Sequence, residues 1–232
     1  MDDLGSRGVY ILNGDEEGDG CDSGATCQHG IESTVVKLNK EQRRVDIYRQ
    51  GVVSQQQLQS ALSACSQLAG WAVSVTTRVV DMHAAVPSSS DAAEAGQEAP
   101  GQAVTHYSPD VPCLIATSLA AGPASSDSET TVYLSKDVLR REVVVIDFGD
   151  QLSACEPLAL AYRNLSPPGS VAGAARDLFA SLRWSEAVAG ARLVLLPAVG
   201  AGEGGVGDGL ADRLFRAASG RRRAVVVDGL LV

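Results

Sequence analysis

Glu142-Val143-Val144-Val145-Ile146-Asp147 sets four consecutive β-branched residues between two acids. A half-buried strand alternates apolar and polar positions, so a short run apolar at every position suits a strand covered on both faces. The pattern recurs in Pro112-Cys113-Leu114-Ile115-Ala116, in Arg192-Leu193-Val194-Leu195-Leu196 and in Ala224-Val225-Val226-Val227. Helical periodicity lies between these runs. From Ala174 to Ala189, Ala175, Leu178, Phe179 and Leu182 share one face, and from Leu210 to Ala218, Leu210, Leu214 and Ala217 recur. Strands separated by helices in this order predict an α/β unit from about residue 111 onward, a parallel sheet with helices on its faces.

Upstream the composition changes. Gly8 to Leu12, Ser33 to Leu38 and Val45 to Tyr48 read as short strands, bounded by glycine and polar clusters. Leu58, Leu62 and Cys65 follow at helical spacing after Ser54, a suitable N-cap. Residues 84 to 102 are Ala, Ser, Glu, Gln, Pro and Gly, which bury too little to offset their ordering entropy, so a flexible linker is expected there.

The 232 residues carry a net charge of -9, which argues against a basic face for nucleic acid. Aromatics are only 4%, so the core must rest on Val, Leu, Ile and Ala. No apolar run approaches the roughly 20 residues that span a bilayer, and Met1-Asp2-Asp3-Leu4 is acidic where a signal peptide is basic. Five scattered cysteines (21, 27, 65, 113, 155) make no disulfide framework, so a reduced, cytoplasmic protein is expected. Cys21, Cys27 and His29 have no usual zinc spacing, and no metal site is expected of them.

Four segments could carry chemistry. In Gly30-Ile31-Glu32-Ser33-Thr34-Val35-Val36, a glycine and two hydroxyls precede a strand, which could present donors to a carboxylate or phosphate. An ordinary hairpin edge reads the same way. Arg49-Gln50-Gly51 sets a guanidinium, suited to phosphate oxygens, at a strand end where a solvated arginine is equally at home. His106-Tyr107 stands in a Pro- and Gly-bracketed loop, either as a ligand contact or as a turn docking two amphipathic rings. Gly202-Glu203-Gly204-Gly205-Val206-Gly207 satisfies G-x-G-x-x-G, with Asp228 near the distance of a ribose-binding acid. The passage from Pro197 is long for such a turn, however, and the region is saturated with glycine.

Together these segments resemble the longer, two-domain threonylcarbamoyl-AMP synthases. Gly30 to Val36 is similar to the signature strand of that family's catalytic domain, and Arg49-Gln50-Gly51-Val52-Val53-Ser54 to its Arg-Pro-Gly-x-Ile-Ser/Thr segment. Pro100-Gly101 through His106-Tyr107-Ser108-Pro109 is similar to its linker motif. Tyr162 to Ser166, Ala174 to Arg183 and the glycine-rich loop before Leu210 resemble its Rossmann-like accessory domain.

The resemblance implies a partial α+β catalytic lobe over 1–70, a linker with a His-Tyr lid over 71–110, and a Rossmann-like accessory domain over 111–232. It implies a reaction in which L-threonine and bicarbonate form a carbamate that attacks the α-phosphate of ATP, releasing pyrophosphate. The product serves downstream threonylcarbamoyl-transfer machinery acting on adenosine 37 of tRNA. Ser33 and Thr34 would bind L-threonine, and Arg49, His106 and Tyr107 would bind ATP, with Mg²⁺ sharing the phosphate charge. The family's Lys-x-Arg and Ser-x-Asn motifs lie in an upstream half, before the point where this chain begins. Lys37 and Gln50 stand where the family usually has Asp and Pro. The chain is therefore expected to be a carboxy-terminal portion, inactive or nearly so alone. Two other readings remain: a dinucleotide-binding oxidoreductase domain using Gly202, Gly204, Gly207 and Asp228, and a non-catalytic interaction module.

Overall fold

A computed structural model describes residues 30, 31, 33–76, 108–123, 128–200 and 204–230. The strand expected at Gly8 to Leu12, the composition-biased stretch 84–102, the Cys21, Cys27 and His29 group, His106-Tyr107 and Gly202 lie outside them.

Two sheets form. The smaller contains β1 (Val35–Asn39), β2 (Arg44–Arg49) and β3 (Ala72–Val75), in that order, with β1 antiparallel and β3 parallel to β2. Helix α1 (Gln55–Ala64) connects β2 to β3. Ser54 caps it as its sequence suggested: Ser54 Oγ accepts from Gln57 N at 3.1 Å, and Gln57 Oε1 accepts from Ser54 N at 2.8 Å. Val45, Ile47 and Val73 form the buried centre here, with Leu58, Leu62 and Trp71 packed against them. β3 falls within the stretch read as linker, and its Val73 is buried in this small core.

The larger sheet has six strands, all parallel: β4 (Cys113–Ala121), β5 (Thr131–Leu134), β6 (Val143–Asp147), β7 (Ala161–Asn164), β8 (Leu193–Pro197) and β9 (Arg222–Val227). Their spatial order is β5-β9-β4-β8-β6-β7. Every side chain of β6 is buried because alternate positions enter different cores. Val144 and Ile146 join Cys113, Ile115, Val194 and Leu196 beneath α3 (Val171–Glu186) and α4 (Val206–Ala217). Val143 and Val145 join Leu114, Leu195, Val225 and Val227 on the opposite face, under α2 (Lys136–Glu142) through Leu139. This is the α/β arrangement that the apolar runs predict.

Helix boundaries depart from the sequence reading for local reasons. α3 begins at Val171, three residues early, because Ser170 follows the helix-breaking Pro167-Pro168-Gly169 and accepts from Gly173 N at 3.2 Å. α4 begins at Val206 and takes Gly207 and Gly209 into the helix. Each glycine costs about 1 kcal/mol relative to alanine there, and at Gly209 the approach of Ile31 and Gly51 leaves no room for a side chain.

Candidate functional site

Three of the five residues singled out for ligand binding come together where the end of β2 turns beneath the start of β1. Arg49 Nε donates to Ser33 O at 3.3 Å. Thr34 Oγ1 donates to Val53 O at 3.0 Å and accepts from Val53 N at 3.2 Å, so one hydroxyl closes both backbone groups of a residue 19 positions away. Gly51 lies under the Ser33–Thr34 peptide. A Cβ at Gly51 would stand 2.4 Å from Ser33 C and 2.6 Å from Thr34 N, which no side chain can occupy without backbone movement. The segments 33–34 and 49–53 are thus interlocked, with Ser33 exposed and Arg49 half-buried at the rim. Beside them, a cleft of about 350 Å³ opens between the amino ends of α1 and α4, lined by Ser54, Gln55, Gln56, Gln59, Gly204 and Asp208. Ser33, Thr34 and Arg49 do not line this cleft.

Helix α4 holds the back of the turn. Arg213 Nη1 donates to Gln50 O at 3.0 Å and Arg216 Nη2 to Tyr48 O at 3.1 Å. Asp212 Oδ2 accepts from Arg213 Nη1 at 2.6 Å and from Arg216 Nε at 2.9 Å, tying the guanidiniums together. Both arginines are buried. A Cβ at Gly205 would lie 2.6 Å from Val52 O, and one at Gly209 would lie 2.9 Å from Ile31 Cδ1. Sequence reasoning missed this contact. Its signal was the pair of arginines on the helix the glycine-rich loop leads into, although spacing alone could not say which backbone they meet.

The dinucleotide arrangement fails on topology. The β8–α4–β9 unit skips a strand, because β4 lies between β8 and β9. Asp228, just past β9, therefore stands two strand spacings, about 10 Å, from the strand that feeds the glycine loop, not on the adjacent strand a ribose-binding acid needs. Gly205 (φ 46°) and Gly209 instead give the Val52 and Gly51 backbone room to approach.

The carboxyl end of a parallel strand often carries catalytic groups, and Asp147 is fully buried there. Its oxygens are occupied structurally. Oδ1 accepts from Phe148 N at 2.6 Å and Leu152 N at 2.9 Å, and Oδ2 accepts from Tyr162 Oη at 2.7 Å. Burial, then the hydrogen bond to Asp147, raises the Tyr162 hydroxyl pKa, keeping that proton in place. Burial also pushes the Cys113 thiol up to about 12 and the Cys155 thiol up to about 11, making both poor nucleophiles. No group of three or more His, Cys, Asp or Glu among the described residues could hold a metal. No helix among them is long and apolar enough to cross a membrane.

These features define a class: an open, all-parallel α/β sheet, one of whose helices clamps a turn of a small mixed sheet. Residues 53–219 match the family described as threonylcarbamoyl-AMP synthase, C-terminal domain, and the chain belongs to that family. The crystal structure of P. abyssi Sua5 complexed with L-threonine shares the fold, with a TM-score of 0.50 at 20% identity over 87% of this chain. The chain spans 48% of that protein's length. Comparison with curated proteins finds no match. Ser33, Thr34 and Arg49 precede the span matched by the family.

Proposed function

We propose that this chain supplies part of the substrate site for threonylcarbamoyl-AMP synthesis. L-threonine's amine and bicarbonate condense to a carbamate. A carbamate oxygen attacks the α-phosphorus of ATP, a P–O bond to the β-phosphate breaks, and pyrophosphate leaves. Two anions must meet for this to happen, so the protein's contribution is positioning and positive charge.

Ser33, exposed above the Gly51 turn, offers its hydroxyl to L-threonine. Thr34 stands beside it and, with its hydroxyl committed to Val53, fixes the strand that presents Ser33. Arg49 has its Nε on Ser33 O, and the rest of its guanidinium fork serves the ATP phosphates in this reading. His106 and Tyr107 complete the nucleotide contact and exclude water from a carbamate and a mixed anhydride that hydrolyse readily. No group of three or more His, Cys, Asp or Glu among the described residues could hold Mg²⁺, and a metal carried on the ATP phosphates would share their charge.

The interlock of 33–34 with 49–53 carries this reading, and membership of the synthase family directs it to L-threonine and ATP. Titration of the ¹⁵N-labelled chain tests it. L-threonine is expected to shift the amides of Ser33, Thr34 and Gly51, and ATP those around Arg49. Shifts confined to the glycine-rich loop, or equal shifts with any amino acid, would contradict it.

A further inference from the structure

Gly205, Gly209, Arg213 and Arg216 follow one another at steps of four, four and three residues, so they form a single stripe along α4. Its upper half is stripped of side chains and meets backbone at Val52 and Gly51; its lower half carries two buried guanidiniums. Their targets bracket one residue: Tyr48 O and Gln50 O stand on either side of Arg49.

Tyr48 is also the irregular position of the small sheet. Val36 pairs with Ile47 and Val35 with Arg49, so the register of β1 steps over Tyr48. A bulge re-aims the side chain next to it and interrupts the ladder of backbone hydrogen bonds. Arg216 provides Tyr48 O with a charged donor, and uses Nε on Asp212 to fix the direction of that donation. A lysine ammonium could match either contact but not hold both in one plane. Apolar packing alone would suffice to dock two units. Donors aimed at the two carbonyls flanking a bulged arginine do something narrower.

We propose that the Gly205–Arg216 stripe of α4 is a positioning element for the ligand site: Arg213 and Arg216 set the bulge that aims Arg49 and keeps it on Ser33 O. This rests on the substrate reading above and assigns to the accessory domain a share in substrate binding beyond tethering. Arg213 and Arg216 touch neither substrate nor reacting atoms; they act through Arg49.

The test uses the full chain with Arg216→Met and the milder Arg216→Lys, followed by hydrogen exchange and by calorimetric titration with L-threonine. In Arg216→Met, amides of residues 48–53 are expected to exchange about ten-fold faster, the size of losing one buried hydrogen bond to a charged group. Amides of β6 and β8 stay at their wild-type rates, and L-threonine affinity falls several-fold. Arg216→Lys, which keeps the charge, is expected to fall between, and it carries the test if the methionine variant does not fold. Unchanged exchange at 48–53 would overturn the positioning role, as would loosened exchange with unaltered L-threonine affinity. A wild-type chain that binds no L-threonine would instead overturn the substrate reading, and exchange at 48–53 still shows whether α4 holds the turn.

Discussion

Gly51 has the least freedom of any residue at the site. Its missing side chain leaves the gap through which the 33–34 peptide passes, at distances no Cβ tolerates. Gly51→Ala is therefore expected to separate the two segments, costing about 1–3 kcal/mol as overpacking does. Urea denaturation of the small sheet reads the cost, and loss of the L-threonine-induced shifts at Ser33 reads the function. A variant that retains both would show that the interlock has slack. A second expectation concerns pH. The buried Cys113 and Cys155 thiols keep their protons in the folded chain up to about 12 and about 11, against a reference of 9.0. Between those values and 9 the unfolded chain loses protons that the folded chain retains, so stability is full below about pH 9 and declines as pH rises through the folded values. Thermal melts from pH 8 to 11 should show this decline, and mass-mapped alkylation at pH 8 should spare both thiols while modifying exposed Cys65. Sequence could mark Gly51 as a turn glycine and Arg49 as a phosphate-type donor. That the turn lies beneath residue 33 is a contact across 18 residues, and no local pattern encodes it.

At the scale of elements, the most legible features were those with a local cause. Ser54 was recognisable as an N-cap, and the structure adds the reciprocal bond from Gln57. Because α1 buries no residue fully, its cap is a large share of what holds it. Ser54→Ala is expected to destabilise the helix by about 1 kcal/mol, read as a drop in helical circular dichroism and a lower urea midpoint. An unchanged midpoint would mean that packing of Leu58 and Leu62 on Val45 and Ile47 suffices. The apolar runs at 113–116, 143–146 and 193–196 were equally legible, because burial on both faces writes itself into every position. The four-residue strands β3, β5 and β7 were not: each spans only two periods of its own pattern. The first turn of α4 was hidden differently. Glycine disfavours a helix, and only the small sheet pressed against Gly205 and Gly209 explains their presence there.

For the whole molecule, strand order separates two functions that the sequence left open. G-x-G-x-x-G with a downstream acid is visible in the chain, yet β4 intervenes between the two strands it needs to be neighbours. The same helix N-terminus that a dinucleotide would require is instead closed over by Val52 O. What the α/β domain does with α4 is grip the turn that carries Arg49, which ties the two sheets together. Co-crystallisation of the full chain with L-threonine and a non-hydrolysable ATP analogue tests this most directly. The expected result is L-threonine within hydrogen-bond distance of Ser33 Oγ and nucleotide phosphate facing Arg49, with Arg213 and Arg216 still on the Gln50 and Tyr48 carbonyls. Nucleotide seated on residues 204–207, or L-threonine bound away from the Ser33 strand, would contradict it.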